Sequence, residues 1–367
     1  MHKNFRKSGL IFIILSAFVL IPNGFAFENR DEDEKENSVN TEHGKEKFAP
    51  GSFIFDHVTD SYEWHILNIK DFHVSIPLPV IVYSKVSGLH SFWSSKLHHG
   101  HSEYKGFRIS QTETDEGKIV EIMKDGTEMK PLDFSISKNV FAIFISMGFL
   151  FWIFISIARK YENKKAPSGF QNAMEPLILF IRDDIAKAVI GEGKYEKYMP
   201  FLLTIFFFIL INNLLGLVPI PPGGANVTGN LAVTGVLALF TLLVTTISGS
   251  KYYWQEIFNA PGVPFWMKIP IPLMPVIEIL GMLTKPFVLM VRLFANIAAG
   301  HIIAMGFFSL IFIFGDIIPL LGYAVSPVTI AFTVFMTIIE LLVAFVQAYV
   351  FTLLSAIYFG MATAEHH

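Results

Sequence analysis

Two apolar stretches, residues 272–314 and 325–364, constrain this chain more than anything else in it. Each runs for about forty residues, or about 60 Å as helix, twice what a perpendicular crossing of ~30 Å of hydrocarbon needs. Ordinary tilts near 20° do not absorb that length, so each stretch is either broken in two or laid steeply across a membrane. Between residues 272 and 314 the formally charged side chains are Glu278, Lys285 and Arg292. An arginine at membrane depth costs roughly 2.5–3.5 kcal/mol on insertion scales, so it faces a protein surface or a wet cavity. The competing reading, an arginine snorkelling to the headgroups from a helix end, fits poorly, because Arg292 sits near the middle of its stretch.

Three shorter apolar runs, 140–157, 199–218 and 231–248, bring the expected spans to five. Composition agrees: 52% of residues are hydrophobic, 37 are Phe, and only 16% are charged, outside the soluble norm. Arg159, Lys160, Lys164 and Lys165 follow the first span, and clustered Lys/Arg marks the cytoplasmic side. Residues 171–189 alternate Leu177, Ile178, Ile181, Ile185 and Val189 with Arg182, Asp183, Asp184 and Lys187 at helical spacing, which predicts an amphipathic helix on the cytoplasmic surface. Pro200 is expected in the first turn of the second span. Trp254 and Trp266, between Lys251 and Lys268, suit an interface after the third. Gly315, Asp316, Pro319 and Pro327 are expected to make the turn between the two long stretches.

The N-terminal third reads differently. In residues 1–26, Lys3, Arg6 and Lys7 precede an apolar run over 10–21 and then Gly24, Phe25 and Ala26, a secretory signal too short to span a bilayer. Residues 27–47 are acid-rich and read as a disordered linker. Residues 48–137 regain strand-like alternation at 73–83, 106–110 and 118–123, with a turn at Asp125-Gly126, and predict a small β-rich periplasmic extension. Its histidines include His98, His99 and His101. No acidic or cysteine partner stands at a recognised ligand spacing, so no metal site is assigned. Cysteine is absent from the chain, which removes disulfides and thiolate sites. No basic, aromatic-interleaved patch suggests nucleic acid.

Residues 138–367 form the expected membrane domain. There, Arg292-Leu293-Phe294 followed by Asn296, with Glu278 and Lys285 before them and Glu340, Gln347 and Tyr358 on the last stretch, resembles subunit a of the F-type ATP synthase membrane sector. The resemblance runs from about Phe141 to the C-terminus. Many bacterial members carry Glu where this chain has His301 and His where it has Glu340, so the acid/base pair is retained with its partners exchanged. The resemblance implies an all-α polytopic fold whose last two helices are long, tilted and packed together. The secretory signal and the Lys/Arg cluster after the first span give an N-terminus in the periplasm and a C-terminus in the cytoplasm, and the expected location is the bacterial inner membrane. The implied partners are a c-subunit ring, the b subunits of the peripheral stalk, the remaining ATP synthase subunits and the lipid around them. The implied function is proton passage through two offset half-channels to ring carboxylates.

Helical geometry gives these residues places. Glu278 lies roughly 21 Å on one side of Arg292 and His301 roughly 13 Å on the other. On an antiparallel last helix, Gln347 is then expected at the level of Arg292 and Glu340 at the level of His301. At about 100° per residue, Lys285, Arg292 and Asn296 share one stripe and His301 points about 180° away. Within the implied mechanism Arg292 faces the ring carboxylates, His301 and Glu340 relay protons in the outer half-channel, and Glu278 serves the inner one. Lys285 stays open between that channel and a structural role. Asn296 and Gln347 are supporting positions, for which interhelical hydrogen bonding is the competing reading. No Gly-x4-Gly-Lys-Ser/Thr stretch exists, so no nucleotide site or cofactor is expected in this chain.

Two other classes compete. A free-standing secondary transporter would also have several spans and intramembrane charges, but transporters commonly carry internal repeats and none is visible. A sensor or adhesin anchored by its spans would not need a buried arginine.

Overall fold

The computed structural model describes residues 50, 51, 54, 58–69, 72–100, 102–110, 112, 115, 117–123, 125–162, 169–218, 221, 223–259 and 273–364. The expected signal peptide, the acidic linker, His101, Lys164, Lys165, Trp266 and Lys268 lie outside these residues, as do the side chains of His98 and His99.

Among the described residues the extension holds eight short strands. β1 (Glu63–Ile69) and β2 (Phe72–Pro77) form an antiparallel hairpin; β3 (Pro79–Ser84) lies between β4 (Gly88–Trp93) and β8 (Leu132–Asp133); β6 (Ile119–Ile122) lies between β5 (Phe107–Ile109) and β7 (Glu128–Met129). The single strand expected over 73–83 is instead two, divided at Leu78. Pro77 and Pro79 on either side have no N–H to give a ladder, and Leu78 bonds Ser94, its N–H to Oγ and its carbonyl to the N–H, both at 3.0 Å. Val80 and Val82 point inward with Phe92, Leu97, Phe107 and Ile119 to make a small core.

That extension is tied to the first membrane helix, α1 (Lys138–Glu162). Asp60 accepts from Ser137 Oγ at 2.6 Å and from the Asn139 N–H at 3.0 Å, so a residue far back in the chain caps the helix start. The Lys138 N–H donates to the Ser61 carbonyl at 2.8 Å, and Trp64 meets Phe141 edge-on at 5.7 Å.

Among the described residues five helices are long and apolar enough to cross a membrane: α1, α3 (Tyr195–Gly216), α4 (Leu231–Ser248), α6 (Leu273–Ile317) and α7 (Pro319–Thr363). Helix α2 (Phe170–Phe180) continues through a π-helical stretch, Ile181–Lys187, into a last turn, Ala188–Ile190, and α5 (Lys251–Asn259) follows α4. Pro200 is not in the first turn of its helix. Tyr195 and Tyr198 extend α3 by five residues, and Tyr198 stacks on Phe359 of α7 at 5.0 Å. The expected amphipathic helix forms, with its apolar face on protein: Ile181, Ile185 and Ala186 are fully buried in the membrane-domain core. Phe180 meets Tyr349 at 5.6 Å and Val189 abuts Gly360, so α2 lies along α7 and its apolar face packs on protein.

Both long stretches are unbroken 45-residue helices, about 68 Å each. Their connection is tighter than expected. Ile318 alone separates them, Pro319 opens α7 and Pro327 sits inside it. Gly315 and Gly322 allow the approach, since a Cβ on Gly322 would lie 2.8 Å from the Gly315 Cα. Descending α6 from Phe307 to His301 to Lys285 ascends α7 from Phe332 to Glu340 to Tyr358, the register of two antiparallel helices in continuous contact. Helix α3 packs behind them through Phe201, Phe206, Phe207 and Ile209, all nearly or fully buried.

Candidate functional site

On α6 the helical period sets Val288, Arg292, Asn296, Ala299 and Ile303 along one stripe, and all five are exposed. One flank of that stripe, about 60–100° round the helix, carries Leu289 and Leu293, both 1% exposed, into the core. Among the described residues none forms an ion pair with Arg292. A guanidinium near the middle of a spanning helix is therefore presented outward on a stripe whose other members are Asn296 and the apolar Val288, Ala299 and Ile303. The contact register places Gln347 close to the same level on α7, where it is buried at 7% exposure. Asn296 is brought to the open stripe and Gln347 to the interior, so the two supporting positions do not meet one environment.

His301 points away from that stripe. Its Nδ1 lies 3.5 Å from Glu340 Oε1, with side-chain exposures of 15% and 12%. Gly300 makes room for the carboxylate: a Cβ there would stand 2.7 Å from Glu340 Oε1. From the other flank, Gly216 at the end of α3 lies against His301 Nε2, 3.6 Å from where its Cβ would be. The acid and base anticipated at one level are thus in contact, enclosed where α3, α6 and α7 converge.

Polar groups without a role in the sequence reading extend this cluster. Asn213, 3% exposed, donates from Nδ2 to the Ala344 carbonyl at 3.2 Å, one turn along α7 from Glu340, and Thr228 Oγ1 donates to Asn213 Oδ1. Asn226 is 4% exposed with neither amide atom bonded, and Asn212 Oδ1 and Glu340 Oε1 are also buried without a hydrogen-bond partner. Buried polar atoms in this state are places for ordered water. The signal available in the sequence was polar side chains at the edge of an apolar run, Asn212-Asn213 and Asn226-Val227-Thr228, which loop and cap roles explain equally well.

Toward the other end of α6, Lys285 Nζ sits 5.7 Å from the Tyr358 ring centroid, a cation–π contact. Arg292 lies within electrostatic reach of the same tyrosine hydroxyl. Glu278, half-buried, comes near Tyr253 of α5; burial, and after it this carboxylate, pushes the Tyr253 hydroxyl above its usual range. Tyr253 packs with Ile257, Ala362, Ile279 and Met282, which holds α5 across the ends of both long helices.

Comparison with known proteins gives this arrangement a context. The family model "ATP synthase A chain" matches residues 140–360, and a second, "Domain of unknown function (DUF8433)", matches residues 53–134. A protein of Chloroherpeton thalassium named ATP synthase subunit a is 44% identical over 245 residues, covering 65% of this chain and 69% of that one. The ATP synthase subunit a 2 of Prosthecochloris aestuarii is 43% identical over 242 residues, 64% and 70% of the two chains. The ATP synthase subunit a of Myxococcus xanthus is 40% identical over 260 residues, 69% and 80%.

Proposed function

The chain belongs to the ATP synthase A chain family, subunit a of F-type ATP synthases, and from that premise we propose that Arg292 faces a passing ring of c-subunit carboxylates while two half-channels feed protons to them from opposite sides. Its membership makes it a multi-pass membrane protein and a stator subunit of the ATP synthase complex. The observation that carries the finer reading is the outward guanidinium on the α6 stripe, without an ion pair among the described residues. Lipid is a costly neighbour for it, whereas a carboxylate-bearing partner stabilises it.

A guanidinium stays charged at any accessible pH. A ring carboxylate beside Arg292 is held ionised, and one that has moved past it into apolar surroundings takes up a proton. The fixed positive charge also repels protons and so separates the half-channels. On the outer side, Asn226, Thr228 and Asn213 lead toward His301 and Glu340, where an imidazole and a carboxylate in contact can pass a proton inward. On the inner side the route is Glu278 and Tyr253, then Lys285 and Tyr358. The membrane potential contributes about 2.3 kcal/mol per charge per 100 mV. Arg159 and Lys160 in the last turn of α1 favour a cytoplasmic end there, which sets the N-terminus outside and, after five spans, the C-terminus inside. The b subunits are the expected stator neighbours, and the bacterial inner membrane the expected location.

The test is Arg292→Ala in the assembled complex. ATP-driven proton pumping into inverted vesicles, read by quenching of a pH-sensitive dye, is expected to vanish while the subunits still co-purify. Retained pumping by an assembled variant would overturn the assignment. Arg292→Lys is expected to fail largely too, because an ammonium lacks the planar fork and loses its proton more readily when desolvated.

A further inference from the structure

We propose that the outward face of the β4–β3–β8 sheet rests on the phospholipid surface of the leaflet at the N-terminal end of α1. An antiparallel sheet with one face on a core normally turns polar residues outward. This one carries apolar residues on its outward face as well. Its inward positions are Val80, Val82 and Phe92, and its outward positions pair Tyr83 with Leu89 and Leu132, Ile81 with Ser91, and Pro79 with Trp93. Leu89 is 69% exposed, Trp93 57%, Leu132 47% and Tyr83 44%, and Val86 in the β3–β4 turn is 68% exposed. A contiguous apolar patch of this kind marks an interaction surface.

Position and charge choose the occupant. Past β8 the chain stays hydrogen-bonded to β3 through the Phe134 N–H to the Ile81 carbonyl and the Ile136 N–H to the Pro79 carbonyl. Only Ser137 then precedes α1, so the sheet begins about 7 Å from a spanning helix. The Asp60 cap and the Trp64–Phe141 contact fix that joint. Trp93 and Tyr83 are the residue types that settle at the headgroup level. None of the outward positions is acidic. Asp133 of β8 turns inward to accept from Tyr62, and Glu121 lies beneath the sheet, bonded to Ser84 and Ser87. Lys85 in the turn and Lys96 just beyond β4 are exposed. Apolar area with lysines beside it suits an anionic phospholipid surface, and the face is continuous with the span that already lies in lipid.

The chain has no cysteine, so each substitution places one label on it, against an unsubstituted complex treated alike as the blank for the other subunits. Leu89→Cys, Trp93→Cys and Leu132→Cys, with Glu103→Cys as an exposed reference on the same extension, are spin-labelled in the complete complex reconstituted into phosphatidylcholine vesicles containing phosphatidylglycerol. Collision with a water-soluble nickel chelate is expected to fall several-fold at the three face positions relative to the reference, and collision with oxygen to rise. Two outcomes overturn the proposal: nickel accessibility equal to that of the reference, which means an open face, and shielding from nickel and oxygen together, which means a protein partner or a second copy covers it.

Discussion

Gly300 has no room for a side chain because Glu340 occupies the space a Cβ would take. Gly300→Ala is expected to displace the end of the flexible carboxylate away from His301 without unfolding the helix, so the assembled complex keeps its subunits and loses a several-fold share of its pumping rate. Pumping at the unsubstituted rate would separate this contact from proton transfer. The exchanged pair supplies a second residue-scale expectation. If the relay needs one acid and one base in contact, it matters little which helix carries which. His301→Glu places two carboxylates together, Glu340→His leaves two imidazoles, and each is expected to slow ATP-driven dye quenching. His301→Glu with Glu340→His restores the pair and should recover part of the flux, normalised to assembled complex. A double variant no better than the worse single would end the outer-channel assignment of these two residues. Their contact was legible before the structure because antiparallel helices with a fixed rise leave few places for residues nine and seven positions from a common level. Asn226 and Thr228 were not legible, since a loop reading accounts for Asn and Thr as well as a water path does.

The spans were readable at the scale of elements because length and apolarity decide them; length alone left each long stretch either broken or steeply tilted, and it was the family resemblance that implied two long helices. What escaped were features set by neighbours. Helix α2 looks interfacial by its own periodicity, yet Gly360 on α7 leaves a groove that Val189 enters; the π-helical stretch over Ile181–Lys187 leaves no pattern in the residue types. Pro200 reads as a helix start until Tyr198 finds Phe359. The joint at Asp60 was hidden by sequence distance, and it yields a pH expectation. Burial raises the Asp60 carboxyl above its ordinary 3.8, against the hydrogen bonds from Ser137 and Asn139 that lower it. A raised acid binds its proton more tightly in the folded state, so its contribution is fully present below the unfolded pKa and is lost as pH rises through the folded one. Amide exchange at residues 139–142 should therefore quicken as pH rises through that window, after correction for intrinsic exchange. Asp60→Asn keeps a capping side chain and should flatten the dependence, while Asp60→Ala should lose the cap at every pH, about 1 kcal/mol. Identical profiles for all three forms would remove Asp60 from the joint.

Burial across the whole molecule is uneven in a way that sets where partners belong. Half of the apolar window of α3 is buried, against 17% for α6 and 17% for α7, so the two long helices stand at the edge of the bundle with broad surfaces uncovered. The uncovered side of α6 differs around the helix. Along the Arg292 stripe Ala295, Ala299 and Gly281 stand beside Val288 and Ile303, whereas Leu283, Phe287 and Val276, 48%, 59% and 48% exposed, lie well round from it. Small residues allow another helix to come close in a membrane; bulky ones suit lipid. Cysteines at Ala299 and Val288 are therefore expected to resist a lipid-soluble maleimide in the assembled complex and to react once the ring is stripped away, while Leu283→Cys and Phe287→Cys react in both states. The contrast within one complex controls for expression and reagent access. Ala299→Cys labelled as fast as Phe287→Cys in the assembled state would leave the Arg292 stripe facing lipid, and the guanidinium would then have no partner charge to hold.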